Sequence, residues 1–369
     1  MDKNVLFGVM TVSLPNRHSP LSSKEGYVPS TTWRHFHQAG LRHEVKVIFF
    51  HPEDVNFFQN RVHAWSCSSS DGKSGWVRKW HRMPDVVYEN VLLRALRQTG
   101  ALTVKREFQK KGIPVFNPAL FQKNRIADIL KRNKQVSRHI PKTIQVRTVK
   151  DVLSFLEQVK CVYLKPVRGT GGKGILELQL QQDSVRVRAQ RFIKDKGFDR
   201  TFSRQKLAAF LRYLLQKGRY IAQEKVELLT RDGRKIDFRF QLNRNETGKW
   251  QLVGIRPKLG PVGSIVSNLH SGGIEGDWEE ISEWAFKEGY PFPGKQELTK
   301  AAIATAEEFT RYRRNLGLVG LDIGVDVNGR YYVLDVNPRP GRNVLTSGMI
   351  RDSVYAITGF AKYLALKYK

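Results

Sequence analysis

The sequence predicts an α/β protein whose later part is better described as α+β, and three observations predict it. Short apolar strands alternate with helical stretches over the first 118 residues. Four glycines fall between two strand-like segments, from Arg168 to Gly174. An Asn-Gly hairpin near the C-terminus brings two aspartates onto one face.

From Val5 to about Pro118 the chain reads as a small α/β unit: strand Val5–Val12, a loop rich in Ser and Pro, a helix near Thr32–Ala39 and strand Glu44–Phe50. Strand Asp85–Tyr88, helix Asn90–Lys111 and the short strand Ile113–Val115 follow. Between Arg61 and Trp80, Trp65, Trp76 and Trp80 surround the polar run Ser68–Gly72, which suggests two short strands and a turn. With Arg78, Lys79, His81 and Arg82 these aromatics have the composition of a base-stacking surface. Trp beside Arg is more often packing with the charge held out to water, and that is the expectation here.

Ala119–Lys134 has the spacing of an amphipathic helix through Leu120, Ile126, Ile129 and Leu130, with Lys123 near its start. Helix Val149–Val159 leads to strand Cys161–Val167, the glycine run and strand Ile175–Leu180. Glycines at that density let backbone amides turn towards phosphate oxygens. A dinucleotide fingerprint needs a helix after the glycines, and a Walker loop needs Gly-Lys followed by Ser or Thr. Here a strand follows and Lys173 precedes Gly174, so neither fits. A glycine-rich flap between antiparallel strands, with Lys165 just before it, is the remaining phosphate-binding design; a flexible hairpin tip is the plainer alternative.

Asp183–Tyr220 is strongly basic, which is ordinarily a solvated face. Strand Tyr220–Val226 places Glu224, Lys225 and Val226 where backbone groups could meet a base. Alternation over Lys235–Leu242 and Trp250–Pro257 puts Asp237 and Arg239 on one face and Arg256 on a neighbour. Ser267–Gly273, which includes Asn268 and His270, is a polar, Gly-rich turn. Helix Leu298–Leu316 precedes the hairpin, and Val344–Lys367 closes the chain as mostly helix.

In the hairpin, Val319, Leu321, Ile323, Val325 and Val327 alternate with small or acidic residues, Asn328-Gly329 turns, and alternation resumes through Tyr332, Leu334 and Val336. A two-residue turn would set Val327 opposite Arg330, and hence Asp322 opposite Asp335 with Asn337 on the same face. Opposed carboxylates are unfavourable unless something positive lies between them, and oxygens alone suit a hard cation such as Mg²⁺. The same face would also serve an ordinary hairpin whose aspartates meet water or a lysine.

Composition narrows the class. Lys and Arg number 63 against 34 Asp and Glu, and a net charge of +29 implies attraction to something polyanionic without choosing among nucleotide, nucleic acid, anionic polymer or acidic surface. Cys67 and Cys161 stand far apart with no ligand spacing, so neither a disulfide framework nor a zinc site is indicated. The apolar start is too short, and too soon followed by Pro15, for a signal peptide, and no run is long enough to cross a bilayer.

Together, Lys123, Lys165 before the glycines, the Glu224 segment, Asp237-Phe238-Arg239, Asn268 with Gly272-Gly273, and Asp322, Asp335 and Asn337 stand in the order that the ATP-grasp superfamily shows. With DFRF, SNLHSGG and DVNPRPGR, the chain resembles the YheC/YheD family of endospore coat-associated proteins. The resemblance implies an N-terminal α/β pre-ATP-grasp-like domain at 1–118 and an ATP-grasp domain at 119–369. Within the latter it implies a lid at about 141–219 and a metal-binding part at about 220–369. It also implies that Lys123 and Lys165 hold the α- and β-phosphates and that Gly169, Gly171, Gly172 and Gly174, with Lys173, fold over the γ-phosphate. Gln223, Glu224, Lys225 and Val226 would meet adenine, Asp237 the ribose side, and Arg239 and Arg256 the transferring phosphoryl group; Asn268 belongs to the same nucleotide set. Asp322, Asp335 and Asn337 would bind Mg²⁺ or Mn²⁺. Position 335 is Asp where most of the superfamily has Glu, and Val266 replaces an Arg common in the glutamate-ligase branch.

The expected activity is ATP-dependent joining of a carboxylate to an amine through an acyl-phosphate, with an acidic or peptide-like substrate and spore coat components as partners. The rival is a structural coat protein that keeps the fold and binds nucleotide without turnover. The resemblance places either in the mother-cell cytoplasm, the endospore coat, or both. A nucleic-acid binder would rest on charge and Trp alone, with no recognisable binding module.

Overall fold

The computed structural model describes residues 5–14, 30–91, 95–117, 123–167, 172–193, 196–265, 267, 272–341 and 344–368. Among the described residues the strands form three sheets. The first contains β1 (Val5–Thr11), β2 (Val45–Phe50), β3 (Val55–Asn56), β4 (Arg61–Cys67), β5 (Trp76–Arg82), β6 (Val86–Asn90) and β7 (Val115–Phe116). Its centre, β2-β1-β6-β7, is parallel, and β4 extends it with β3 and β5 antiparallel. All seven residues of β1 are buried, as a strand covered on both faces must be. Helix α1 (Thr31–His43) covers one face, α2 (Ala95–Gln98) and α3 (Ala101–Lys110) the other. The single helix expected from Asn90 to Lys111 is instead a strand end and two helices, broken where Gly100 takes φ +67°. The strand pair around the polar turn forms as expected, and Trp65 and Trp76 pack into the core. Trp80 stays 45% exposed, with the Arg61 guanidinium 5.1 Å from its ring centroid.

Helices α4 (Lys123–Lys131) and α5 (Lys134–Ser137) lead into a second, wholly antiparallel sheet. Its strands are β8 (Thr143–Val146), β9 (Cys161–Pro166), β10 (Leu176–Leu180), β11 (Ser184–Ile193), β12 (Lys196–Ser203) and β13 (Tyr220–Glu224), in the order β12-β11-β10-β9-β13-β8. Helices α6 (Val149–Val159) and α7 (Arg204–Lys217) cover one face. The limits of α6 are those read from the sequence, because Thr148 and Asp151 form a capping box that starts it. Strand β13, which the sequence reading assigns to the following part, is hydrogen-bonded between β9 and β8.

The third sheet contains β14 (Thr230–Arg231), β15 (Arg234–Arg244), β16 (Trp250–Leu259), β17 (Ile274–Glu275), β18 (Leu318–Val325) and β19 (Tyr331–Asn337), with α8 (Trp278–Lys287) and α9 (Lys295–Tyr312) on its apolar face. The last helix, α10 (Ser347–Lys367), returns to the first sheet, where Val354, Ile357, Phe360 and Leu364 join the core beneath α1. Buried Asn117 ties the two regions: its Nδ2 donates to Pro338 O at 2.7 Å and its Oδ1 accepts from Leu318 N at 3.1 Å. Among the described residues no helix is long and apolar enough to cross a membrane.

Candidate nucleotide and metal site

The polar face of the third sheet is laid out by register. Arg256 pairs with Arg239, Arg239 with Asp322, and Asp322 with Asp335, in one row across β16, β15, β18 and β19. Asp322 and Asp335 do face each other, but not by the expected route. The turn holds three residues rather than two: Asp326 N donates to Arg330 O at 2.8 Å, Gly329 takes φ +76°, and Val325 pairs with Tyr331. That shifts the register by one. Leu334 restores it as the extra residue of a bulge between the Ile323–Val333 and Asp322–Asp335 pairs. The core side of β19 is therefore Tyr331, Val333 and Val336, not Tyr332 and Leu334.

The two aspartates are held differently. Arg239 donates to Asp322 through Nε at 2.6 Å and Nη2 at 3.2 Å, and Lys258 Nζ lies 3.1 Å from Asp322 and 2.8 Å from Asp237. Burial alone would raise the Asp322 pKa, yet the Arg239 and Lys258 charges hold it well below the usual carboxylate range. Burial wins at Asp237, whose pKa rises despite Lys258 and the Ser267 hydroxyl that donates to it. Asp335 is 43% exposed on its side chain, with Lys123 Nζ at 3.2 Å. Asn337 Oδ1 accepts from Arg339 N at 3.0 Å.

Lys258 was missed in the sequence because Pro257 read as a strand terminator. The Pro257 carbonyl accepts from Gly276 on the outer side of β16, so its missing N–H removes no bond to β15 and the strand continues. Lys258 then follows Arg256 on the same alternating face, which is the signal that could have found it. Arg256 itself is paired with Glu275 on β17. Arg339 was also missed; it reaches Glu89 of the first sheet and donates to Val91 O at 2.9 Å.

A cleft opens between the second and third sheets, floored by α4. Lys123, Lys165, Gln223 and Asp335 line it together with apolar Ile126, Leu130, Ile221 and Val336. Apolar walls with a few convergent polar groups are the usual form of a small-molecule site. Lys165 donates to Gln223 Oε1, and Gln223 Nε2 donates to Thr143 Oγ1 at 3.1 Å. Burial, reinforced by Lys123, pulls the Lys165 pKa down to about 8. Glu224 accepts from Lys142 N at 2.7 Å, Lys225 pairs with Glu227, and Val226 O accepts from Leu228 N at 3.0 Å. Gly172 and Gly174 take φ +75° and +73° beside exposed Lys173. Gly169, Gly171 and Asn268 lie outside the described residues.

The donor chemistry fits Mg²⁺. Asp322, Asp335 and Asn337 offer oxygens alone, and among the described residues no group of three His, Cys, Asp or Glu side chains could hold a metal by itself. Mg²⁺ at nucleotide sites characteristically uses one or two carboxylates and takes the rest from phosphates and water.

A family profile described as YheC/D like ATP-grasp matches residues 112–364. The chain is 26% identical over 283 residues to the endospore coat-associated protein YheD of Bacillus subtilis (strain 168), spanning 74% of this chain and 60% of that one. It is 26% identical over 314 residues to YheC of the same organism, 81% of each. The chain thus spans less than two-thirds of the length of YheD. Among solved structures it is similar to the ATP-grasp ligase PsnB complexed with minimal precursor, with TM-score 0.51, 14% identity and coverage of 96% of this chain and 100% of that chain. It is equally similar to the VanG D-Ala:D-Ser ligase from Enterococcus faecalis, with TM-score 0.51, 12% identity and coverage of 98% and 100%. An ATP-grasp fold built on an α/β N-terminal sheet is thereby shown, and with the profile match over most of its length the chain belongs to the YheC/D-like ATP-grasp family.

Proposed function

We propose that the protein is an ATP-dependent carboxylate–amine ligase working through an acyl-phosphate. The observation that carries this reading is the row Arg239–Asp322–Asp335, with Lys258 beside it, at the mouth of the cleft that Lys123 and Lys165 line. A carboxylate oxygen attacks the γ-phosphorus, ADP leaves, and an amine then attacks the acyl carbon, expelling phosphate and losing a proton to give the amide. Lys165 and Lys123 bind phosphate oxygens, Gln223 keeps Lys165 aimed into the cleft, and Arg239 and Lys258 neutralise the anions that must approach one another. Asp322, Asp335 and Asn337 would hold Mg²⁺, which would supply positive charge against that of the phosphates. On this reading the second sheet is the lid and the first belongs to a domain of about residues 1–118.

The substrates are proposed by chemistry: a carboxylate and an amine, acidic or peptide-like, in keeping with the basic 183–220 stretch and with PsnB, whose structure holds a precursor. The names of YheC and YheD support association with the endospore coat. A second reading, a coat protein that binds nucleotide without turnover, is favoured by Asp335, shorter than the Glu usual at this position. ADP release with Mg-ATP and a library of amino acids and acidic peptides tests both. Carboxylate- and amine-dependent release supports the ligase; nucleotide-induced stabilisation without any release supports the binding protein.

A further inference from the structure

The inner face of the second sheet carries a polar row that runs on past the nucleotide cleft. By register, Arg188 of β11 stands opposite Glu177 of β10, Glu177 opposite Tyr163 of β9, Tyr163 opposite Gln223 of β13, and Gln223 opposite Thr143 of β8. Gln223 and Thr143 line the cleft with Lys165. The other half of the row meets the third sheet. Lys235 opens the polar face of β15, two residues before Asp237 and four before Arg239. Its Nζ donates to the Tyr163 hydroxyl at 2.8 Å and lies 4.0 Å from Glu177.

Tyr163 joins the two halves. Alternation along β9 puts it on the face of Lys165, two positions away. Its ring centroid lies 5.8 Å from Lys165 Nζ and 5.5 Å from Lys235 Nζ, so both cations border the ring. Packing alone does not require such a cluster. The Glu177 side chain is 1% exposed and accepts from Arg188 Nε at 2.9 Å, and taking charges out of water costs about what their pairing returns. Apolar side chains of similar volume would hold the two sheets together as well or better.

We infer that Tyr163 and Lys235 are positioning residues for the nucleotide site: their hydrogen bond fixes β9 against β15, and with it the span from Lys165 to Arg239 and Asp322. The inference rests on the reading of the Lys165 cleft as a Mg-ATP site. Lys165 and Arg239 belong to different sheets, so their separation is set by what ties one sheet to the other. Glu177, itself fixed by Arg188, offsets the charge of Lys235 at that tie. A misplacement of about 1 Å in such a span is enough to cost about 100-fold in a reaction.

Calorimetric titration of the full chain with Mg-AMP-PNP, a non-hydrolysable analogue of Mg-ATP, tests this, with urea unfolding run on the same variants. Tyr163→Phe keeps the ring and removes only the hydroxyl, and Lys235→Met keeps an unbranched stem and removes the charge. Each should weaken binding about tenfold. The double variant should bind no more weakly than either single one, because the same bond is lost in all three. Lys235→Arg can still donate to the hydroxyl and should recover most of the affinity. Affinity unchanged in both single variants overturns the inference, as do losses that add in the double variant, or affinities that follow urea stability across the set with no recovery in Lys235→Arg. A wild type that does not bind Mg-AMP-PNP overturns the nucleotide reading itself, and this inference with it.

Discussion

Asp322 and Asp335 face each other across β18 and β19, yet one is gripped by two buried cations and the other stands 43% exposed beside Lys123. Their substitutions should therefore separate. Asp322→Asn leaves Arg239 and Lys258 short of a partner and should cost about 3 kcal/mol or more in urea unfolding. Asp335→Asn should stay within about 1 kcal/mol of wild type while abolishing both the rise in Tm with Mg-ATP and ADP release. Equal losses of stability would remove the distinction.

Lys165 supplies a pH dependence. Burial holds its pKa at about 8 in the free protein, and phosphate oxygens beside it raise that value. Between the free and bound values, binding takes up a proton, so affinity for Mg-ATP should fall up to about tenfold per unit as pH climbs above about 8 and be level below about 7. Calorimetry in buffers of different ionisation enthalpy measures the uptake. Lys165→Arg should flatten the profile, and a wild type level up to about pH 9.5 would contradict the assignment.

Lys258 is shared by Asp237 and Asp322, and the Asp237 pKa is already raised by burial. In Lys258→Met that pKa should rise further. A carboxylate with a raised folded pKa loses stability as pH climbs from its unfolded value towards its folded one. Wild type and variant should thus differ by about 1 kcal/mol near pH 4 and by about 3 kcal/mol near pH 8. Denaturant midpoints at the two pH values measure it, and a gap that narrows at pH 8 would oppose this account.

Glu89 has no exposed side-chain surface and is held by Lys105 at 2.6 Å and by Arg339, two residues beyond Asn337. Arg339→Ala should destabilise by about 3 kcal/mol, and adding Glu89→Gln should recover part of that by removing the stranded charge. Additive losses in the double variant would show that the two do not act as a pair.

Much of the fold was legible because its cues are local. The caps of α6 and the alternation of β15 and β18 each depend on residues a few positions apart, and the alternation places Asp237, Arg239 and Asp322 on strands. Where a local cue was ambiguous the reading slipped: Asn-Gly admits a three-residue loop as well as two, and Pro257 does not end a strand when its nitrogen faces outward.

The sequence by itself determined how strongly the chain is charged, that Asp237 and Arg239 share a face of β15, and that two aspartates lie on one hairpin, because charge, and side-chain period where no bulge intervenes, are properties of the chain alone. Tertiary structure decided who meets whom. The bulge at Leu334 was needed to return Asp335 to Asp322, Arg256 turned to Glu275, and α10 went back to the first sheet. Arg239 reaches Asp322 across 83 positions and Arg339 reaches Glu89 across 250. Periodicity cannot specify such partners, since they follow from which apolar faces bury each other and which charges are then left to pair out of water.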